Sequence, residues 1–259
     1  MRFLDALSFL TIIPLPHRRE ASPEEVGRSI VYFPVVGVII GLILAGLNWL
    51  LGLFLPSAVV NGLLIVSLVV ISGALHLDGL ADTCDGLAGY KTVEARWQVM
   101  RDSRVGAFGV IGVFLVLLLK YVSLNSLPEN WLMVTLVLMP VVSRWAMVYA
   151  LFTYPYARPE GLGQVFKQAT SWPRLAIATV ITLAVAIGLA RLVNVTYFYL
   201  AGLAIMFGVW VIVVVLATYL KRKFSGLTGD TYGAINETAE VGVLILVCLL
   251  AYNQWLWLT

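Results

Sequence analysis

Three aspartates, Asp78, Asp82 and Asp85, fall in the stretch His76–Gly86 (HLDGLADTCDG) at spacings of four and three residues. On a helix they share one face over two turns, where the carboxylates repel one another unless a cation or a basic group neutralises them. Carboxylate oxygens are hard ligands, and Mg2+ takes one or two of them together with phosphate oxygens and water. The pattern therefore points to metal-assisted chemistry on a phosphorylated substrate. Gly79 and Gly86 flank the acids without side chains, leaving room for a bulky ligand against the backbone. The plainer alternative is a row of aspartates solvating a loop beside a bilayer, but acid clusters there are costly and functional by default.

Further groups of the same chemical character follow along the chain. Thr228–Glu237 carries Asp230 and Glu237, with Glu240 three residues on, and these acids are placed to complete a one- or two-metal site with the first cluster. Glycine-flanked acids also serve as turn and helix-cap residues. Met100–Gly109 (MRDSRVGAFG) offers Arg101 and Arg104 as a fork for phosphate oxygens, or as basic anchors at a membrane surface. Tyr156–Lys167 adds Arg158, Lys167 and two glycines, a candidate phosphate loop or lid without the Walker lysine pattern. His76 is a candidate general base, with a hydrogen-bonded structural role as the alternative. Arg144 and Lys120 lie inside apolar runs, and an unpaired guanidinium there is expensive, so Arg144 is expected to face a polar cavity and pair with an aspartate or a phosphate.

The elements that hold these residues are set by composition. The chain has 259 residues, 61% hydrophobic and 12% charged, with a net charge of +3. Soluble domains average about 45–50% apolar and about 25% charged, so an ordinary water-soluble enzyme and a disordered chain are both excluded. Basic residues are scattered without a long run, which leaves no nucleic-acid footprint. Cys84 and Cys248 are too few for a disulfide framework.

About seven apolar runs, at 30–54, 57–75, 105–127, 131–152, 175–193, 197–220 and 241–258, are long enough to cross most or all of a ~30 Å hydrocarbon core as helices. The reading is an all-α, polytopic transmembrane bundle in one domain over residues 1–259. Met1–Pro16 ends without a small-residue cleavage site and reads as a short interfacial or re-entrant helix rather than a signal peptide. Gly37 and Gly41 form a small-xxx-small pair for close helix approach. Alternation puts Arg2, Arg18, Arg19, Arg28, Lys91, Arg96, Arg101, Arg104, Arg158, Lys167, Arg174, Lys221, Arg222 and Lys223 on one side and only Arg191 on the other. Retention of loop lysines and arginines makes the rich side cytoplasmic, and the chemistry-bearing motifs share it.

The motifs HLDGLADTCDG, MRDSRVGAFG, YARPEGLGQVF (Tyr156–Phe166) and GDTYGA (Gly229–Ala234), in this order, together with Tyr32–Gly37, resemble the membrane-bound cobalamin synthase family over essentially the whole chain. That resemblance implies a Mg2+-dependent adenosylcobinamide-GDP ribazoletransferase in the cell membrane. Its reaction transfers the adenosylcobinamide phosphoryl group from adenosylcobinamide-GDP to α-ribazole or α-ribazole 5′-phosphate, with release of GMP. On this reading Asp78, Asp82, Asp85, Asp230 and Glu237 bind metal. Arg101, Arg104, Lys167 and Arg158 hold phosphate, and His76, Asp82 or Asp78 takes part in the proton and metal chemistry. Membrane lipid surrounds the chain, and a homo-oligomer is compatible with it. Asn236 departs from the smaller or more apolar residue expected beside Glu237. Two other classes fit parts of the pattern: a phosphotransferase for a nucleotide-activated lipid alcohol, and an ion-coupled transporter using Arg144 and Lys120.

Overall fold

The computed structural model describes residues 2–14, 22–89, 91–158, 161–193 and 198–253. Arg18, Arg19, Pro159, Glu160, Tyr197 and the end of the last apolar run at Leu258 lie outside the described residues. The described chain is all-α, with helices α1 (Arg2–Leu10), α2 (Pro23–Arg28), α3 (Phe33–Gly52), α4 (Ser57–Ile71), α5 (Leu75–Leu87), α6 (Val93–Val99), α7 (Ala107–Ser126), α8 (Glu129–Thr153), α9 (Leu162–Gln168), α10 (Trp172–Ala190), α11 (Phe198–Phe224) and α12 (Gly229–Tyr252). Six helical stretches are long and apolar enough to cross a membrane, and the bent pair α4–α5 brings the number up to seven. Large apolar side chains such as Trp49, Phe54, Phe114, Val180, Phe207 and Val215 point outward, as a lipid-facing surface requires. This is a multi-pass membrane protein.

Helix α8 is the central post, buried along nearly its whole length, and α3, α10 and α12 pack on it. The Gly37/Gly41 pair does bring α3 against α8. A Cβ on Gly41 would lie 2.5 Å from Val137 Cα, and one on Gly37 would collide with the Pro140 carbonyl oxygen. Pro140 has no N–H, so the carbonyl one turn earlier, that of Leu136, loses its helical partner and sits at this contact. Helix α1 is amphipathic, burying Ala6, Leu7 and Leu10, and the chain after it is tied to the end of α4 by the Ile12 N–H donating to Ile71 O at 2.8 Å.

The apolar run at 57–75 is not one straight span. It breaks at 72–74, and α5 leaves α4 at 88°. Gly73 and Ala74 both take left-handed backbone angles, φ 60° and 57°. Ala74 is a non-glycine in that region, at a cost of about 1–2 kcal/mol that the surrounding contacts must offset. The break turns the aspartate-rich segment back into the bundle, between α7 and α12.

Two cations and two carboxylates are buried where α7, α8 and α12 meet. Lys120 Nζ donates to Glu237 Oε2 at 2.6 Å and also to Glu240, and Glu240 accepts from Arg144. Ser143 and Asn236 surround the Glu240 carboxylate, with Asn236 Nδ2 3.3 Å from Oε1. All four charged side chains are nearly inaccessible, and the group is formally neutral. Removing one partner of a buried pair strands a charge and typically costs about 3–5 kcal/mol. Glu240→Gln is therefore expected to lower the thermal unfolding temperature in lipid nanodiscs sharply. Combining Lys120→Met with Glu237→Gln removes one charge of each sign and is expected to cost less than the two single changes summed, a difference that a double-mutant cycle measures.

Candidate active site

Helix α5 carries Asp78, Asp82 and Asp85 as an i, i+4, i+7 face, and its neighbours decide what each one does. Gly79 lies directly on the start of α12: a Cβ there would come within 2.7 Å of Asp230 O. Reciprocally, a Cβ on Gly233 would come within 2.9 Å of His76 O. The two backbones meet at these positions because neither residue carries a side chain. Gly79 still borders the cavity, whereas the expectation that Gly86 leaves space for ligand is corrected, since Met100 and Phe224 cover it.

The contact brings two distant acids together. Asp78 is exposed and borders the same cavity as Asp230. Asp82 is half-buried and lies within electrostatic reach of Asp230, Asp78, Asp85 and Arg158. Asp230 sits in the first turn of α12, where the positive end of the helix dipole favours a carboxylate. Thr228 and Thr231 cap that turn reciprocally, with the Thr228 N–H donating to Thr231 Oγ1 at 2.7 Å and the Thr231 N–H to Thr228 Oγ1 at 3.3 Å. Capping and site chemistry therefore coexist here. A short backbone clip holds Arg158 in place: the Leu227 N–H donates to Pro155 O and the Ala157 N–H to Leu227 O, both at 2.8 Å. Arg158 then donates to Asp230 Oδ2 at 3.1 Å, while its Nε has no partner among the described residues.

Asp85 is used differently. Its carboxylate accepts the Gly106 N–H at 2.7 Å and the Gly109 N–H at 2.8 Å, and it is buried. It caps α7 from outside that helix, satisfying two of the N–H groups that a helix start leaves open. Gly106 and Gly109 serve this contact, because a Cβ at either position would strike the Asp85 carboxylate. Both oxygens of this expected metal ligand are thus engaged by protein donors.

Three other expected site residues are also drawn elsewhere. Glu237 lies deeper in α12, ion-paired to Lys120, because its position faces α7 and not the cavity. Lys167 donates to Leu151 O and Phe152 O at 2.8 Å each, closing the carbonyl end of α8, and burial pushes its ammonium pKa down. Arg104 is exposed and grips Asp102 with Nε to Oδ1 at 3.0 Å and Nη2 to Oδ2 at 2.6 Å, which holds the Asp102 carboxyl down at about 2. Arg104 borders a separate hollow of about 430 Å3 beside Asp85, and Arg101 is exposed nearby.

Residues that the motif reading passed over complete the site. A cavity of about 300 Å3 is bordered by Asp78, Asp230, Arg158 and His76 together with several aromatic rings. Tyr156 and Tyr232, whose rings stack at 6.4 Å and 9°, stand inside the quoted motifs but were given no role there. Phe9, in the N-terminal helix, carried no sequence signal. Among the described residues no three His, Cys, Asp or Glu are grouped so as to hold a metal ion by themselves.

A family model for cobalamin-5-phosphate synthase matches residues 2–248. The chain belongs to the cobalamin-5-phosphate synthase family. Relatives named adenosylcobinamide-GDP ribazoletransferase include one from Roseiflexus sp. (strain RS-1), 39% identical over 95% of this chain and 89% of its own length. Others are from Geotalea daltonii, 40% identical over 95% of each chain, and Desulforamulus reducens, 38% identical over 94% of each. No solved structure matches the chain. Membership makes this an enzyme, a transferase of cobalamin biosynthesis built from membrane helices, and replaces the transporter reading.

Within this family member the Asp85 cap is open to a direct test. Asp85→Ala removes both acceptors at the start of α7, a loss of roughly 1–3 kcal/mol. Hydrogen exchange at Gly106 and Gly109 is expected to accelerate well before exchange in the middle of α7 changes.

Proposed function

We propose that the enzyme transfers the adenosylcobinamide phosphoryl group from adenosylcobinamide-GDP to a hydroxyl of α-ribazole or α-ribazole 5′-phosphate, releasing GMP. The observation that carries this reading is the meeting of Asp78, Asp82 and Asp230 with Arg158 at one end of the bundle, in a chain whose full-length relatives bear that activity as their name. The acceptor oxygen attacks phosphorus on the corrinoid side, the bond to GMP breaks, and the hydroxyl proton is lost.

The donor set fits Mg2+, which needs only one or two carboxylates beside phosphate and water, so no closed three-residue cage is required. Asp78 and Asp82, with Asp230 across the cleft, are the residues to hold it. When bound there, the ion supplies neutralisation of the diphosphate and of the departing GMP. Arg158, oriented by Asp230, reaches phosphate oxygens at the cavity edge. Arg104, paired to Asp102 beside the separate hollow at Asp85, and the exposed Arg101 lie outside this cavity, and the role left to them is to meet an outlying charged part of the donor. His76 borders the cavity and is the candidate to receive the hydroxyl proton. Arg96, Lys221, Arg222 and Lys223 lie toward this end, and the retention of loop lysines and arginines on the inner face supports a cytoplasmic site.

Purified enzyme in detergent, given adenosylcobinamide-GDP and α-ribazole 5′-phosphate, is expected to release GMP and form adenosylcobalamin 5′-phosphate with Mg2+ and to stop with chelator. Absence of product from folded protein rejects the reaction. Asp82→Ala is expected to lower turnover by at least ~100-fold while leaving the unfolding temperature nearly unchanged. Near-normal turnover in that variant removes the metal site from Asp82.

A further inference from the structure

The cavity beside Asp78 and Asp230 is bordered by two chemically distinct groups of residues. One is built from phenyl rings: Phe9 and Phe166 lie 4.7 Å apart, Phe33 and Phe166 5.5 Å apart, and Phe9 and Phe33 6.0 Å apart at 19°. These rings come from α1, α3 and α9, three segments far apart in sequence that converge here. The other is polar and incompletely satisfied. Tyr232 is 5% exposed and its Oη has no partner, and His76 is 3% exposed with Nδ1 likewise unpartnered. Buried polar atoms are nearly always paired, so two unpaired ones around a single cavity point to a ligand that supplies the missing partners.

Building on the proposed reaction, we infer that this cavity is the binding site of the acceptor nucleoside and not of the corrinoid. Size separates the two substrates. About 300 Å3 is at the small end of small-molecule sites and suits one nucleoside. A corrin ring carrying a nucleotide is several times larger and stays outside. The chemistry agrees. The base of α-ribazole is a flat, apolar fused ring, and flat rings bind between aromatic side chains in stacked or edge-on contact. Its ribose hydroxyls match the polar group, where Tyr232 Oη and His76 Nδ1 lack partners.

The cavity also ends where the reaction needs it to. Asp78 and Asp230 stand at its border, so a nucleoside seated base-first against the phenyl rings presents its sugar to the acidic residues. Arg158, with Nε free, sits at the same border and serves as counter-charge for an acceptor carrying a 5′-phosphate. The donor then approaches from the open side of Asp78, its corrin ring over the exposed end of the bundle.

The test is steady-state kinetics with each substrate varied in turn, for Phe33→Leu, Phe166→Leu and Tyr232→Phe. Each variant is expected to raise KM for α-ribazole about 5- to 10-fold while KM for adenosylcobinamide-GDP moves less than about 2-fold. Equilibrium dialysis of α-ribazole 5′-phosphate against protein without donor is expected to show the same weakening. Tyr232→Phe removes a single oxygen and keeps the comparison valid if a phenylalanine variant fails to fold. A rise in the donor KM in place of the acceptor KM assigns the cavity to the donor and overturns the inference. Unshifted acceptor KM and binding in every folded variant overturn it as well. Wild-type enzyme that releases no GMP instead rejects the proposed reaction, so the two failures are separable.

Discussion

The site depends on two helix backbones touching. Gly79 of α5 rests on Asp230, and Gly233 of α12 rests on His76, so the carboxylates on the two helices can face a common cavity only while both positions lack a side chain. Any Cβ there pushes the helices apart and separates Asp78 from Asp230. The close contact in turn requires α5 to return into the bundle, and the left-handed pair Gly73–Ala74 makes that return possible after α4. Local strain at the elbow thus serves a long-range geometry.

Charge is handled in two ways within a short distance. At the open end, Asp78, Asp82 and Asp230 gather three carboxylates near one cation, Arg158, among the described residues. Deeper in the bundle, Lys120, Arg144, Glu237 and Glu240 cancel one another, and Asn236 and Ser143 add hydrogen bonds. Burial explains the contrast. An unbalanced charge next to solvent can be neutralised by a bound ion or substrate, whereas one surrounded by apolar helices must be neutralised by the protein itself.

The same logic reallocates residues that share a motif. Asp85 belongs to the acidic stripe of α5 but lies where α7 begins, so it serves open N–H groups there. Lys167 follows the glycines of its loop yet reaches back to the carbonyls of α8. In both cases the nearest unsatisfied backbone groups, and not a ligand, take the side chain.

Composition and the period of the apolar runs determined by themselves that this is a polytopic helical membrane protein, because a chain this apolar must satisfy its backbone inside helices. The i, i+4, i+7 spacing likewise determined that Asp78, Asp82 and Asp85 share a helix face, and the Gly37/Gly41 spacing that α3 meets a neighbour closely. Spacing along one helix cannot say which neighbour lies opposite each turn. That Asp78 faces Asp230, that Asp85 faces the start of α7, and that Glu237 faces Lys120 was decided only by the packing of α5 and α12. Arg144 shows the boundary well. Its sequence demanded a partner, since an unpaired guanidinium in an apolar run is too costly, but the expected aspartate or phosphate is replaced in the tertiary structure by Glu240.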